Sequence, residues 1–259
     1  MKTNQLDNLL HKITVNMIGD VDPNYDPSQD IPPKAFFYRN EIPIADYLMN
    51  LKESLTKDYM NGFTSLKDAI EAQGKNVLKN NEDPRYGGSE SELIRKIDGD
   101  ESIASSDNWK STSLIYKFEA EKYEWHIDPE EGLNRYPTAY KLIKELGDDC
   151  PIANYSAMAP QTVLHRHTGP ENRTGEYIRI HIPLIIPQGD VFFEVNGEEI
   201  TWDDLFGFDN QLVHSAHNYT DEYRLIFLLD IRRSAIGLPP GQPWNKNRQL
   251  TAKPFVREK

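Results

Sequence analysis

One cysteine, no long apolar run and a shortage of basic residues set the first limits on this sequence. Cys150 is the only cysteine among 259 residues, so an intrachain disulfide is excluded. No apolar run approaches the roughly 18 residues that a membrane-spanning helix needs, and no secretory signal is recognisable. We therefore expect a cytoplasmic protein without a membrane partner.

The charge balance of the chain is acidic. Lys and Arg total 29 against 41 Asp and Glu, which gives a formal net charge of −12. Because proteins bind nucleic acid through clustered Lys and Arg, we expect no nucleic-acid partner, although a local basic pocket is compatible with this balance. Cys150 has no histidine partner in view, which makes it a poor candidate for a catalytic nucleophile.

Two segments carry helix signals. The first has apolar residues at steps of three or four positions, as on one face of a helix: Ile44, Leu48, Leu51, Leu55 and Tyr59. The second, YPTAYKLIKELG, has Pro137 near its start and Gly147 just past its end. Turn-forming residues at 22–27 and 80–88 predict loops on either side of the first helix.

The second half of the chain is rich in short β-type runs. The runs are LIYKF, NYSAMA, YIRIHIPLII, VFFEV, EEITW, LVHSA and YRLIFLLDI, and Asn196-Gly197 between VFFEV and EEITW predicts a tight hairpin. This pattern predicts a mainly β protein with N-terminal helices and a double-stranded β-helix core, the jelly roll of cupin-like proteins. We divide the chain into an N-terminal helical and loop region (1–109), the jelly-roll core (110–235) and a C-terminal tail (236–259).

Histidine placement is the first chemical signal. Five of the seven histidines lie in the β-rich half, at positions 165, 167, 181, 214 and 217. Neutral imidazole is a common ligand of divalent iron, copper and zinc. In a jelly roll, distant strands converge at one open end, where His167 and His214 could meet. Spacing alone also fits surface histidines or hydrogen-bonded core histidines.

Two further cationic positions stand out. Arg224 lies in the run YRLIFLLDI, which is apolar on both alternating faces, and a buried guanidinium is costly unless an anion meets it. The anion could be a small dicarboxylate held by a bidentate clamp, or an internal carboxylate such as Asp230 or Asp209. Arg179 and His181 share one face of YIRIHIPLII, which could line the barrel mouth or be an ordinary solvated face.

Read together, these segments resemble the aspartyl/asparaginyl β-hydroxylase family. The resemblance covers about 110–235 and is carried by five motifs in the family's order: SAMAPQT (156–162), HTGPEN (167–172), RIH (179–181), FDNQLVHSAHN (208–218) and RLIFLLD (224–230). The combination is far more specific than any one motif.

The resemblance implies a metal centre and a cosubstrate site. In this family two histidines bind iron(II), and a glycine replaces the usual third, carboxylate ligand; these positions are His167, His214 and Gly169 here. Arg224 would pair with the distal carboxylate of 2-oxoglutarate. Ser156 and His181 would help to hold the cosubstrate, Arg179 would contact a cosubstrate or substrate carboxylate, and Asp209 would have a structural or supporting role.

The implied reaction is hydroxylation by a 2-oxoglutarate-dependent dioxygenase. It would use iron(II), 2-oxoglutarate and O2, release succinate and carbon dioxide, and hydroxylate a C–H bond of an amino acid, peptide or protein side chain. Two departures bear on substrate choice: RTGEYIRIH is longer than the usual family segment, and His217 stands where tryptophan is frequent. The alternatives are a cupin-like metal-binding module without turnover and a zinc hydrolase, although the sequence has no His-Glu-x-x-His motif. Small-molecule and peptide substrates, and any oligomeric state, stay open.

Overall fold

We describe the protein from a computed structural model of the 259-residue chain. The structure describes residues 23–24, 26, 33–76, 94–96, 108–116, 124–125, 127–167, 172, 174–243 and 245. For 75–76, 94–96, 124–125 and 165–167 this covers the backbone alone. The predicted loop at 80–88 lies outside these ranges.

Five α-helices flank the sheets in the described part of the chain. They are α1 (Ala45–Asn50), α2 (Lys52–Met60), α3 (Leu66–Gln73), α4 (Pro129–Arg135) and α5 (Pro137–Leu146). The prediction for α5 is confirmed, with Pro137 as its first residue and Gly147 ending it at a φ of 56°. The single helix predicted from Ile44 is two helices, because a tighter bond from Leu51 N to Leu48 O interrupts it.

The chain forms thirteen strands within the described ranges. They are β1 (Phe37–Tyr38), β2 (Lys75–Asn76), β3 (Ile94–Lys96), β4 (Trp109–Tyr116), β5 (Glu124–Trp125), β6 (Ile152–Met158), β7 (Thr162–His167), β8 (Tyr177–Ile185), β9 (Val191–Val195), β10 (Glu198–Thr201), β11 (Phe206–Phe208), β12 (His214–Asn218) and β13 (Arg224–Arg232).

The strands build two antiparallel sheets. The larger has the order β1-β11-β8-β13-β6-β4-β2, with β5 beside β4, and the smaller has the order β10-β9-β12-β7-β3. From β8 to β13 the chain crosses repeatedly between the two sheets, apart from the β9–β10 hairpin within the smaller sheet, as in a jelly roll. The predicted fold class, mainly β with a double-stranded β-helix core and N-terminal helices, is confirmed. So is the hairpin, since Asn196 and Gly197 both have positive φ between β9 and β10.

The larger sheet separates two apolar cores. Its outer face packs against the helices and contributes residues such as Ile180, Phe227 and Leu229. Its inner face packs against the smaller sheet, where Ile226, Phe193 and Trp202 meet. Strand β13 is therefore buried on both faces, as its sequence predicts. Among the described residues no helix is long and apolar enough to cross a membrane.

The division at 109 and 235 stays a prediction. The structure adds that short strands before residue 109 extend the sheets: β1 pairs with β11, β2 with β4 and β3 with β7. Strand β4 itself begins at Trp109.

Candidate active site

The space between the two sheets contains the polar side chains that the sequence singles out. His181 and Arg224 come from the larger sheet and His214 from the smaller one, and all three are buried. The rings of Phe193 and Phe208 contact both imidazoles, with centroid distances of 5.1 to 5.6 Å. The fold thus brings the predicted metal-binding and cosubstrate-binding elements together in one aromatic cluster.

The register of β7 against β12 places the two predicted metal-binding positions side by side. Position 167 is the backbone partner of His214, which in an antiparallel pair means a Cα separation of about 4.5–5.5 Å. Farther along the same pair, Ala216 is opposite Leu164 and His217 opposite Val163. That register would put position 166 opposite His214, but a bulge shifts the pairing by one residue.

A hydrogen bond to the backbone two residues earlier orients the imidazole of His214. Nδ1 lies 2.7 Å from the carbonyl oxygen of Leu212, which accepts its proton. Metal-binding histidines usually donate one ring N–H to a carbonyl or carboxylate in this way, which fixes the ring and assigns the metal to the other nitrogen. Nε2 is therefore the nitrogen of His214 that suits a metal.

His217 has a different environment. Its Nε2 lies 2.8 Å from Ser215 Oγ and its Nδ1 lies 3.4 Å from Tyr219 Oη. Its ring also stacks on Phe192, with centroids 4.3 Å apart. Both ring nitrogens of His217 thus have partners within the protein.

The other residues of the predicted metal centre lie outside the described part of the structure. The side chains of His165 and His167 belong to the undescribed part of β7, and Gly169 falls in an undescribed segment. Among the described residues no group of three or more His, Cys, Asp and Glu side chains is close enough to hold a metal. The predicted pair of metal ligands, His167 and His214, stays a prediction.

Arg224 is a buried cation, 3% exposed, that forms no ion pair with any described residue. Within the described ranges its Nε also has no hydrogen-bond partner, while Cζ lies 4.7 Å from the ring centroid of Trp202. Burial lowers the pKa of Arg224 to about 9, which leaves the side chain charged at neutral pH.

Both carboxylates that could have neutralised Arg224 have other cations. Asp230 accepts two bonds from Arg179, at 2.7 and 2.8 Å, in a bidentate pair. Asp209 pairs with the buried Arg233 at 2.6 Å. Asp209 thus has a structural contact, whereas the cosubstrate contact predicted for Arg179 stays a prediction.

His181 packs against the aromatic rings of Phe193, Trp202 and Phe208. The indole Nε1 of Trp202 donates to its Nδ1 at 3.4 Å, and the two rings are nearly parallel. Burial, and then the charges of Arg224 and Arg179, lower the pKa of His181 well below its ordinary value. The imidazole is therefore neutral, with its proton on Nε2.

Ser156 is also buried on the inner face, on β6. Its Oγ accepts a bond of 3.1 Å from the indole Nε1 of Trp109. Since an indole N–H only donates, the hydroxyl proton of Ser156 can point to another acceptor.

Sequence reasoning missed the two tryptophans, Trp109 and Trp202. A signal was present, because a tryptophan in a strand that becomes buried needs an acceptor for its N–H. Cys150 is buried, and desolvation raises its pKa, which agrees with its exclusion as a nucleophile.

Comparison of the chain with known proteins identifies a matching family. The profile described as Aspartyl/Asparaginyl beta-hydroxylase matches residues 67–234. The aspartyl/asparaginyl beta-hydroxylases of Mus musculus and Homo sapiens are each 33% identical over 79 residues, which is 30% of this chain. The match spans 10% of the length of either relative.

Two further similarities have lower identity. The ornithine lipid ester-linked acyl 2-hydroxylase of Rhizobium tropici is 21% identical over 160 residues, covering 60% of this chain and 53% of that protein. A solved prolyl hydroxylase from Trichoplax adhaerens is 14% identical with a TM-score of 0.41, covering 92% of this chain and 96% of its own. Because the family profile matches more than half of the chain, this protein belongs to the aspartyl/asparaginyl beta-hydroxylase family.

Proposed function

We propose that the protein is an iron(II)- and 2-oxoglutarate-dependent dioxygenase. In this reaction a C–H bond of the substrate is hydroxylated while 2-oxoglutarate and O2 are converted to succinate and carbon dioxide. Membership of a hydroxylase family supports the reaction class. The requirement for iron and 2-oxoglutarate is our inference from the site.

The observation that carries the proposal is the buried, unneutralised guanidinium of Arg224. A buried cation is costly, and the two carboxylates that could have met it pair with Arg179 and Arg233. A small anionic ligand would supply the missing charge and bond to Nε. A carboxylate matches the planar guanidinium in two parallel hydrogen bonds, which suits the distal end of a dicarboxylate.

The histidine pair fits a metal at the other end of this ligand. His214 has Nδ1 engaged by Leu212 and Nε2 suited to a metal, and position 167 is its direct backbone partner. When bound, iron(II) would supply the O2 chemistry that is coupled to decarboxylation of 2-oxoglutarate. Metal and dicarboxylate would then share the space between the sheets.

The residues of the chain would bind, orient and exclude water. Arg224 would hold the distal carboxylate, and Ser156 Oγ–H could donate to the same group. His181 is neutral and would donate from Nε2 to an oxygen of the cosubstrate. The phenyl rings of Phe193 and Phe208 line this space, so that electrostatic contacts inside act at low dielectric.

The substrate we propose is an amino acid, a peptide or a protein side chain. Family membership supports this choice, whereas the Rhizobium tropici relative, by its name, hydroxylates an ester-linked acyl group. A substrate screen should therefore include lipid acyl chains beside amino acids and peptides, with a mass gain of one oxygen as the readout.

The test is succinate formation from 2-oxoglutarate. The protein is loaded anaerobically with iron(II) and 2-oxoglutarate, then exposed to O2 with and without candidate substrates. We expect succinate that requires both iron and O2, and much less of it from His214→Ala than from His217→Ala. If the wild-type protein binds iron but forms no succinate with any substrate, and none uncoupled from substrate, it is a cupin-like metal-binding module instead.

A further inference from the structure

Trp202 lies between the two side chains that would hold the cosubstrate. It follows β10, is buried, and presents its ring to Arg224, whose Cζ is 4.7 Å from the ring centroid. Its Nε1 donates to Nδ1 of His181 at 3.4 Å. One side chain of the smaller sheet's hairpin thus contacts two functional positions on the larger sheet.

The hydrogen bond sets the tautomer of His181. An indole N–H can only donate, so Nδ1 of His181 must accept and carries no proton. A neutral imidazole in this bond has its proton on Nε2. A ring with the proton on Nδ1 would direct two N–H groups at each other and would present a lone pair to an approaching carboxylate.

The ring contact restrains Arg224. Arginine side chains have several rotatable bonds, and fixing them when a ligand binds costs conformational entropy. The flat face of the indole attracts the guanidinium and limits its orientation before any ligand arrives. No described residue bonds to Nε, whereas the indole ring lies 4.7 Å from Cζ, so the ring contact is available to orient the charged group.

We propose that Trp202 is a positioning residue of the cosubstrate site. It fixes the tautomer of His181 that donates from Nε2, and it holds the guanidinium of Arg224 in the orientation that receives a carboxylate. This role rests on the function proposed above. Trp202 itself would touch neither metal nor reacting atoms.

The experiment uses the full chain and reads the tautomer and the affinity separately. Long-range 1H–15N spectra of the histidine rings report which nitrogen of His181 is protonated, without metal or cosubstrate. Calorimetry with manganese(II)-loaded protein under anaerobic conditions reports the Kd of 2-oxoglutarate. The variant is Trp202→Phe, which keeps a ring and removes the N–H. The control is Phe36→Leu, because Phe36 belongs to the same apolar core and contacts Phe206.

We expect the wild-type ring to be protonated on Nε2, and Trp202→Phe to give a mixture of tautomers. The Kd of 2-oxoglutarate should rise about tenfold in Trp202→Phe, as for the loss of one hydrogen bond and the weakening of a ring contact, and stay within about twofold in Phe36→Leu. At saturating 2-oxoglutarate, kcat should change much less than KM.

Two results would overturn the role of Trp202. One is an Nδ1–H tautomer in the wild-type protein, which needs no variant and so does not depend on how Trp202→Phe folds. The other is wild-type affinity for 2-oxoglutarate in Trp202→Phe. Failure of the proposed function would look different, because the wild-type protein itself would then bind no 2-oxoglutarate.

Discussion

Removing the guanidinium of Arg224 should weaken the binding of 2-oxoglutarate far more than the binding of iron. Loss of one partner of a buried charged pair costs about 2–5 kcal/mol, so the Kd of 2-oxoglutarate in Arg224→Ala should rise roughly 30-fold or more. Arg224→Lys should recover part of this loss, since lysine restores the charge but lacks the planar fork. Calorimetry gives the values, and an unchanged Kd in Arg224→Ala would assign Arg224 a purely structural role.

The same residue predicts a pH dependence of cosubstrate binding. Burial lowers the pKa of Arg224 to about 9, and only the charged form attracts the dicarboxylate. Affinity should therefore be full below this pKa and fall as the pH rises through it, approaching tenfold per pH unit above it. The ratio of Kd values between Arg224→Ala and the wild-type protein, measured from pH 7 to 10, removes pH effects on other groups. A ratio that stays constant across this range would contradict the prediction.

The four histidines of β7 and β12 should separate into two classes. We expect His167→Ala and His214→Ala to abolish activity and metal binding, and His165→Ala and His217→Ala to keep substantial metal binding. The nitrogens of His217 are engaged by Ser215 and Tyr219, and the register places position 167 opposite His214. Metal titration of the four variants decides this. Loss of iron in His165→Ala as complete as in His167→Ala would shift the ligand assignment to position 165.

At the residue scale, the sequence indicates which charged side chains are buried but not which opposite charge each of them meets. An arginine in a doubly apolar strand predicts that Arg224 needs an anion, and the buried position agrees. The sequence leaves Asp209 and Asp230 as equal candidates for it. Their assignment to Arg233 and Arg179 depends on strand register, which no local pattern encodes.

At the element scale, local chemistry predicts turns and ends better than it predicts interruptions. Asn-Gly and Pro…Gly signals identify the β9–β10 hairpin and α5 because the backbone conformations they favour are intrinsic to those residues. The break at Leu51 and the bulge in the β7–β12 pair have no comparable signal in the local sequence.

Strand β13 should carry a large share of the stability, because both of its faces are buried. Leu229 is fully buried in the outer core, while Leu238 is only partly buried against that core. Leu229→Ala should lower the free energy of unfolding by about 2–5 kcal/mol, and Leu238→Ala by clearly less. Urea denaturation of both variants and the wild-type protein measures the difference. Equal losses in the two variants would mean that β13 is not the central element of this core.

At the scale of the whole molecule, the two faces of the larger sheet have different roles. The outer face packs against the helices and provides apolar burial, whereas the inner face combines apolar packing with the predicted cosubstrate residues. Alternation along β8 explains the division, since Ile178, Ile180 and Ile182 point outward and His181 points inward. The sequence predicts this alternation, but whether the polar face meets solvent or a second sheet depends on the folded topology.

The central claim is that one site binds iron through His167 and His214 and a dicarboxylate through Arg224. Two neutral imidazoles leave the charge of the metal poorly compensated, so iron and 2-oxoglutarate should each strengthen the binding of the other. The most direct measurement is an anaerobic titration of iron(II) with and without saturating 2-oxoglutarate. We expect 2-oxoglutarate to tighten iron binding about tenfold or more in the wild-type protein, and much less in Arg224→Ala. An iron affinity that is indifferent to 2-oxoglutarate would contradict the central claim.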